Sequence, residues 1–274
     1  MDKRLALKIL LSIVIFLATC LIYSFIEPYF IKVNNIEIVD SDIPESFENK
    51  KIVFVADIHH GPFFSRKRVK KLVEQVNKLN PDIIILGGDY VHGSPQYILP
   101  CFEELQKLNA KIDKFGVIGN HDNWESTRLT EKGMKIAGIK ILENEACWIF
   151  LSKDKIKIGG TEDLWTGFPD AEPTIKNTKK EDFVILVTHN PDYVEEIKTP
   201  NIDLILGGHN HGGQITLFGL YAPIMFSDYG QKYKSGIVET NNTKVVVTNG
   251  IGMVNLPLRF FARPEIIVLT LKNR

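Results

Sequence analysis

Seven side chains that could bind metal ions follow short apolar runs in five separate blocks of the chain. The blocks read DIHHG, GGD, GNHD, THNPD and GGHNHGGQ, and their candidate ligands are Asp57, His59, Asp89, Asn120, His189, His209 and His211. Carboxylate, imidazole and amide oxygen together suit borderline divalent ions such as Zn²⁺, Mn²⁺ and Fe²⁺. Seven ligands exceed what one tetrahedral ion needs, so they predict two adjacent ions with Asp89 as the bridging carboxylate. Two such ions, about 3.5–4 Å apart, are suited to in-line displacement at phosphorus by a hydroxide that bridges them.

The spacing within two of the blocks is also informative. Residues i and i+2 of a strand share one face, so Asp57 and His59 are expected to point at one site, and so are His209 and His211. His60 would then face the other side, where we expect a structural role. Glycines at the ends of these runs, Gly119 among them, leave room for close approach of the backbone.

The elements that must position these residues alternate between strands and helices. Apolar β-rich runs occupy 51–57, 82–89, 115–122, 155–160, 183–190, 202–211, 244–250 and 265–271, with an earlier strand near 32–39. Helical spacing follows the first three runs, for example at Val69, Leu72, Val73 and Val76. This order predicts a layered α/β domain, whose site lies outside the carboxyl ends of the strands.

The ordered pattern D-x-H, G-D, G-N-H-D, H and G-H-x-H resembles the calcineurin-like metallophosphoesterase family over roughly residues 51–271. The resemblance implies a four-layer α-β-β-α sandwich of two packed β-sheets flanked by helices. It also implies that one ion is held by Asp57, His59, Asp89 and His211, and the other by Asp89, Asn120, His189 and His209. His121 would be the catalytic, non-ligating histidine, which stabilises the transition state or protonates the leaving oxygen, and Asp122 would orient it.

Two departures from the pattern narrow the expected activity. The block GGDYVHGSP has His92 where phosphoprotein phosphatases have a second aspartate, and it lacks their arginine. The chain is more similar to the membrane-anchored bacterial branch, which implies a phosphodiesterase or pyrophosphatase acting on a lipid-linked or nucleotide substrate. The alternatives are a nuclease, a phosphomonoesterase or a non-catalytic metal-binding scaffold. The 33 basic and 33 acidic residues balance, which argues against nucleic acid as a partner.

The N-terminus predicts a membrane anchor. Residues 9–26 are free of charge and approach the ~30 Å thickness of the bilayer core. We therefore divide the chain into a cytoplasmic N-terminus (1–8), a transmembrane anchor (9–27), a stalk with the first strand (28–50) and the catalytic domain (51–274). Basic residues before the anchor and Glu27 after it predict a single-pass protein of the cell membrane with an extracytoplasmic domain. A cleaved signal peptide and a lipoprotein signal at Cys20 are the alternatives.

Other features of the sequence leave alternatives open. The three cysteines are far apart and form neither a metal knuckle nor a disulfide framework. The apolar segment 215–226 is either a buried hairpin or a surface for an acyl chain, and Arg259 or Arg263 is a candidate phosphate contact. Nothing in the sequence indicates an oligomeric state.

Overall fold

The computed structural model describes residues 2–198, 201–240 and 243–274. The α-helices of these residues are α1 (Lys3–Ile26), α2 (Arg66–Lys78), α3 (Ile98–Leu105), α4 (Asn120–Ile136) and α5 (Glu172–Ile175). The strands are β1 (Lys32–Asp40), β2 (Lys51–Val55), β3 (Ile83–Leu86), β4 (Asp113–Gly116), β5 (Lys140–Ile141), β6 (Glu145–Leu151), β7 (Asp154–Gly160), β8 (Val184–Thr188), β9 (Leu204–Gly207), β10 (Gly236–Glu239), β11 (Lys244–Val247) and β12 (Glu265–Asn273).

The strands form two mixed sheets of six. The first has the order β1-β12-β2-β3-β4-β5, and the second has the order β10-β11-β9-β8-β7-β6. Strands β2 to β5 run parallel to one another, as do β7, β8, β9 and β11. The polar blocks of the sequence directly follow these parallel strands. The candidate ligands therefore lie at the carboxyl ends of both parallel sets.

Alternate side chains of the central strands pack on opposite sides of each sheet. Ile52 and Phe54 of β2 enter the core between the sheets, whereas Val53 and Val55 pack on the outer core with helices α2, α3 and α4. A third cluster covers the outer face of the second sheet, where α5 and the 3-10 helix Pro191–Glu195 lie. The expected four-layer α-β-β-α class is confirmed, with a thinner helical layer over the second sheet.

The strands are shorter than the apolar runs predicted. Strand β2 ends at Val55, β9 ends at Gly207, and the strand expected over 115–122 ends at Gly116. Helix α4 already begins at Asn120 rather than near Glu125, with a kink at Ser126. The polar residues therefore lie in loops and at a helix start just beyond the strands, where their backbones are free of the sheet's hydrogen-bond ladder.

Helix α1 is long and apolar enough to cross a membrane. It is joined firmly to the folded domain at its end. The buried carboxylate of Glu27 accepts hydrogen bonds from the backbone N–H of Phe261 at 2.7 Å and of Ala262 at 2.6 Å. The N–H of Arg259 donates to the carbonyl of Ser24 at 3.0 Å, and Arg68 of α2 donates to the carbonyl of Pro28 at 2.5 Å.

The segment 28–50 belongs to the folded domain and does not form a stalk. Its strand β1 pairs in parallel with β12 along its whole length. After β1, the side chains of Ile43 and Phe47 are fully buried in the core between the sheets. The sequence did not reveal this because the segment is mostly polar, and its two buried apolar residues are isolated from each other. The folded domain accordingly begins close to the end of α1.

Candidate metal centre

The loops after the strands hold five of the seven candidate ligands in a left-handed backbone conformation. Asp57, His59, Asp89, His209 and His211 all have φ between 48° and 66°, a region that residues with a side chain seldom adopt. The expected shared face of a strand is therefore wrong as the explanation for the i, i+2 pairs. The left-handed residues turn the chain sharply instead, and such strain is typical of functional sites.

Three of the candidate ligands come together between the two sheets. The Nε2 atoms of His59 and His211 are 3.0 Å apart, and the carboxylate of Asp57 lies 3.7 Å from Nε2 of His211. The backbone N–H of His209 donates to both oxygens of Asp57, at 3.0 and 3.1 Å. The loop after β9 of the second sheet thereby fixes the carboxylate of Asp57, which lies in the loop after β2 of the first sheet.

A second group of donor atoms lies beside the first. Nε2 of His189 is 3.1 Å from Oδ1 of Asn120, and Nδ1 of His209 is also 3.1 Å from that oxygen. The two imidazole nitrogens are 3.3 Å apart. Oδ2 of Asp89 lies 3.3 Å from Nε2 of His189 and 3.5 Å from Nε2 of His59. Asp89 thus stands between the two groups, and the structure brings all seven candidate ligands together.

The donor atoms fit bound cations. Two nitrogen ligands at ~2.1 Å from one ion lie about 3–3.4 Å apart, which is the spacing of both imidazole pairs. Nδ1 of His189 lies 2.8 Å from the carbonyl of Gly87, and Nε2 of His209 lies 3.2 Å from the carbonyl of Phe226. A ring N–H bonded to a carbonyl leaves the other nitrogen free as a ligand. These groups could therefore hold metal ions.

Burial governs the charges of the site. It raises the pKa of Asp57 to about 7, with repulsion from Asp89 adding to the effect. Burial lowers the pKa of His209 to about 3 and that of His59 well below its usual value. Although burial opposes it, attraction to Asp89 raises the pKa of His189 well above its usual value. Bound cations would therefore stabilise the ionised form of the buried carboxylates, while most of the imidazoles stay neutral and able to bind an ion.

His121 lies beside these ligands and faces the cleft. Its backbone N–H donates to Asp89 at 2.9 Å, and its ring lies 4.9 Å from the ring of His59. Nδ1 of His121 is 3.1 Å from Nδ1 of His92. His92, whose position was open between the site and the solvent, is therefore the side chain that supports His121.

Asp122 does not have the expected contact with His121. One of its oxygens accepts from the N–H of Tyr90 at 2.9 Å and of Val91 at 3.3 Å, and the other accepts from the N–H of Gly119 at 3.1 Å. The buried carboxylate holds the loop after β3 against the start of α4. The sequence did not distinguish two roles of this aspartate. A carboxylate next to a histidine can orient that histidine, or it can cap the N-terminus of a helix that begins there.

Two tryptophans form walls of the cleft. The ring of Trp165 lies 4.3 Å from His209, and the ring of Trp124 lies 4.8 Å from His121. Both are about half exposed. The cleft has a volume of about 200 Å³ and no lysine or arginine among the described residues that line it. The ligand pattern in the sequence did not reveal these tryptophans; the scarcity of tryptophan, three in the chain, was the available signal.

Arg259 is fully buried and does not face the cleft. Its guanidinium donates to the carbonyl of Gly252 at 2.6 and 2.9 Å, to that of Ala262 at 2.7 Å and to that of His211 at 3.3 Å. Arg263 donates to the carbonyl of Phe30. The suggestion that one of these arginines contacts phosphate is therefore wrong. Arg259 instead supports the loop of the ligand His211.

His60 has the expected structural role. Its side chain is buried, and its Nδ1 lies 2.7 Å from the carbonyl of Phe64. Glycines give the close approach that the sequence indicated. A Cβ atom on Gly119 would lie 2.2 Å from Oδ1 of Asp89, and one on Gly208 would lie 2.6 Å from Oδ2 of Asp57. Only glycine fits against these two carboxylates.

The fold and the site together define a metal-dependent phosphoester hydrolase. The family model of the calcineurin-like phosphoesterases matches residues 50–213. The chain belongs to this family, as its sequence pattern indicated, and the family uses a dinuclear metal centre. The family membership that the resemblance predicted is thereby confirmed.

Curated relatives support the same class. An uncharacterized metallophosphoesterase of Bacillus subtilis, YkuE, is 35% identical over 91% of this chain and 88% of its own length. The phosphodiesterase YaeI of Escherichia coli is 31% identical over 81% of this chain and 82% of its own length. A transmembrane protein with a metallophosphoesterase domain from Danio rerio is 29% identical over 88% of this chain and 57% of its own length.

Proposed function

We propose that the protein is a dinuclear phosphodiesterase or pyrophosphatase. The observation that carries the proposal is the position of Asp89, whose Oδ2 lies within 3.5 Å of Nε2 of both His59 and His189. Those histidines belong to different groups of donor atoms. A carboxylate between two such groups is suited to bridging two ions.

The ligand sets follow from the same distances. Asp57, His59 and His211 would hold the first ion and share Asp89 with the second, which Asn120, His189 and His209 would hold. Mn²⁺, Zn²⁺ and Fe²⁺ suit this mixture of oxygen and nitrogen donors. When bound, two such cations polarise the phosphoryl oxygens and activate the attacking water.

Side chains of the protein supply the remaining catalytic roles. Water oxygen bonds to phosphorus as the bond from phosphorus to the leaving oxygen breaks, and the leaving oxygen needs a proton. We assign the donation of this proton, or of a hydrogen bond, to His121, which His92 and the backbone bond to Asp89 hold in place. Burial lowers the pKa of His121, so its protonated form is a stronger acid than free histidine.

The composition of the cleft supports a phosphodiester or pyrophosphate over a phosphomonoester. No lysine or arginine lines it among the described residues, so a terminal dianionic phosphate lacks a side-chain cation. Tryptophan rings on both sides accommodate a second substituent on the phosphate. The relative YaeI is named a phosphodiesterase, which agrees with this choice.

A comparison of aryl esters tests the assignment. The full chain, purified in detergent with Mn²⁺, is expected to hydrolyse bis(4-nitrophenyl) phosphate with a higher kcat/KM than 4-nitrophenyl phosphate. Asp89→Asn is expected to abolish both activities. Asp113→Asn, at the far end of β4 in an ion pair with Lys140, is the matched control and should remain active. Undiminished hydrolysis by Asp89→Asn would refute the bridging role.

We propose further that α1 anchors the protein with its N-terminus in the cytoplasm and the metal centre outside. The basic residues Lys3, Arg4 and Lys8 before the apolar stretch support this orientation. Protease added to right-side-out membrane vesicles should then degrade the domain, and protease added to inverted vesicles should not. The opposite pattern would reverse the orientation.

A further inference from the structure

An apolar pocket adjoins the metal cleft. It has a volume of about 180 Å³, and its walls include the side chains of Ile215, Pro223, Ile224, Val254 and Leu256. No Asp, Glu, Lys or Arg is among the described residues that line it. A cavity of about 150 Å³ holds a benzene molecule, so this one has room for a segment of about six carbon atoms.

The pocket and the cleft share a wall. His211, Phe226, Val254 and Asn255 line both spaces. The carbonyl of Phe226 also lies 3.2 Å from Nε2 of the candidate ligand His209. A molecule with its phosphate at the metal centre can therefore extend an apolar group into the pocket without leaving the protein surface.

The apolar loop 215–226 contributes four residues to the lining of the pocket. This loop is not the buried hairpin that was one of the two expectations. The side chains of Leu217, Phe218, Leu220 and Ile224 are between 53% and 85% exposed. Such a concentration of exposed apolar side chains marks an interaction surface in a soluble protein.

The apolar loop lies against the membrane helix. The ring of Phe218 is 6.5 Å from that of Phe16, a residue ten positions before the end of α1. Ten helical residues correspond to ~15 Å along the axis. The ammonium of Lys234 donates to the carbonyls of Gly219 and Leu220 and so fixes the loop at its exposed turn. A bilayer around α1 would therefore surround the exposed side of the loop.

We propose that the pocket receives part of the hydrocarbon chain of a membrane lipid whose phosphate ester or anhydride is the substrate. The proposal rests on the phosphodiesterase or pyrophosphatase function proposed above. The lipid reaches the pocket from the bilayer beside α1, along the loop 215–226. Its phosphate then lies at the metal centre, because the pocket and the cleft are adjacent and share His211 and Phe226 among their lining residues.

A lipid chain fits these observations better than a protein partner. The described residues that line the pocket are uncharged, and the loop 215–226 that forms part of its wall also contacts the apolar helix α1 through Phe218. A peptide would bring backbone N–H and C=O groups into walls that offer few partners for them. A hydrocarbon chain has no such groups.

A series of 4-nitrophenyl alkyl phosphodiesters tests the pocket. The esters share one leaving group, and their chains lengthen from methyl to octyl at concentrations below micelle formation. The full chain with Mn²⁺ should show kcat/KM that rises by up to fourfold per added methylene and levels off after about six carbons. If kcat/KM does not rise with chain length although the methyl ester is hydrolysed, the proposed role of the pocket is wrong and the proposed function still stands. Failure to hydrolyse any ester would overturn both.

Substitutions in the pocket test whether the hydrocarbon chain of the substrate binds there. Ile224→Asn and Leu256→Asn change side chains that are 69% and 49% exposed, so the fold should tolerate them. Each should lower the ratio of octyl to methyl kcat/KM at least tenfold. Ile237→Asn is the matched control, since Ile237 is 51% exposed on β10 and outside the pocket, and it should keep the wild-type ratio. A wild-type ratio in both pocket variants would place the chain elsewhere and overturn the proposal.

A vesicle experiment distinguishes a membrane lipid from a soluble amphiphile. The full chain is reconstituted in phosphatidylcholine vesicles that contain a diacyl lipid with a 4-nitrophenyl phosphate headgroup. The lipid should be cleaved faster than the octyl ester at the same bulk concentration. If the octyl ester is cleaved and the lipid is not, the substrate is a soluble amphiphile, and the assignment to a membrane lipid is wrong.

Discussion

Replacement of Gly119 by alanine tests whether the position of Asp89 controls the activity. Gly119 has φ −100°, which alanine adopts without strain. The added Cβ would lie 2.2 Å from Oδ1 of Asp89 and 2.6 Å from its backbone nitrogen. The substitution therefore displaces Asp89, both its candidate bridging carboxylate and its backbone, and leaves the conformation of residue 119 unstrained.

The size of the effect follows from this distance. A carboxylate oxygen must withdraw by roughly 1 Å to reach ordinary contact with the new methyl group. A misplacement of about 1 Å at a reacting centre costs about 100-fold in rate, or about 2.7 kcal/mol of transition-state stabilisation. We expect Gly119→Ala to lower kcat/KM about 100-fold and to weaken metal binding.

The assay combines hydrolysis of bis(4-nitrophenyl) phosphate with metal content per chain and a thermal melt. Gly207→Ala is the matched control because its Cβ would have its nearest contacts with Pro191, at 3.0 Å from Cβ and 3.5 Å from Cα; it should stay within a few-fold of wild type. A Gly119→Ala protein that is folded, metal-loaded and within threefold of wild-type activity would refute the reasoning.

Three further predictions follow from the site and its surroundings. His92→Asn removes the contact with Nδ1 of His121 and should lower kcat about tenfold with little change in KM; an equal rise in KM would indicate a binding role instead. EDTA should abolish hydrolysis and lower the Tm, and Mn²⁺ should restore both, because cations offset the buried carboxylates; a Tm indifferent to EDTA would contradict this. Burial raises the pKa of Glu143 from 4.5 to about 8, so its contribution to stability is fully present below pH 4.5 and is lost as the pH rises to about 8. Glu143→Gln should therefore gain a few degrees of Tm relative to wild type between pH 5 and 8; a difference independent of pH would refute the shift.

The candidate ligands could be predicted because their types and their order along the chain carry the information. Asp57, Asp89 and His189 each follow a buried run, and the carboxyl ends of parallel strands meet at one edge. The reason given for the pairing of Asp57 with His59 was nevertheless wrong. A left-handed backbone at a residue that is not glycine leaves no signature in hydrophobic periodicity, so only the structure revealed it.

Residues that act through a partner distant in sequence were harder to find. His92 and His121 are 29 positions apart, and Arg259 lies 48 positions from the His211 loop that it supports. A lone arginine in an apolar context also fits a phosphate contact, and burial alone distinguishes the two roles. The apolar segment 215–226 was similarly ambiguous, because the same pattern describes a core hairpin and a membrane-facing loop.

The clamp between Glu27 and the N–H groups of Phe261 and Ala262 has a consequence for how the protein meets its targets. Because this clamp joins α1 directly to the domain, the anchoring proposed above would hold the metal centre at one fixed height above the bilayer and in one orientation to it. For the membrane lipid proposed above as substrate, encounter would then be a two-dimensional search, in which lateral diffusion of both molecules replaces diffusion through the solution. A fragment that begins after Glu27 would lose this geometry together with the buried acceptor for two backbone donors.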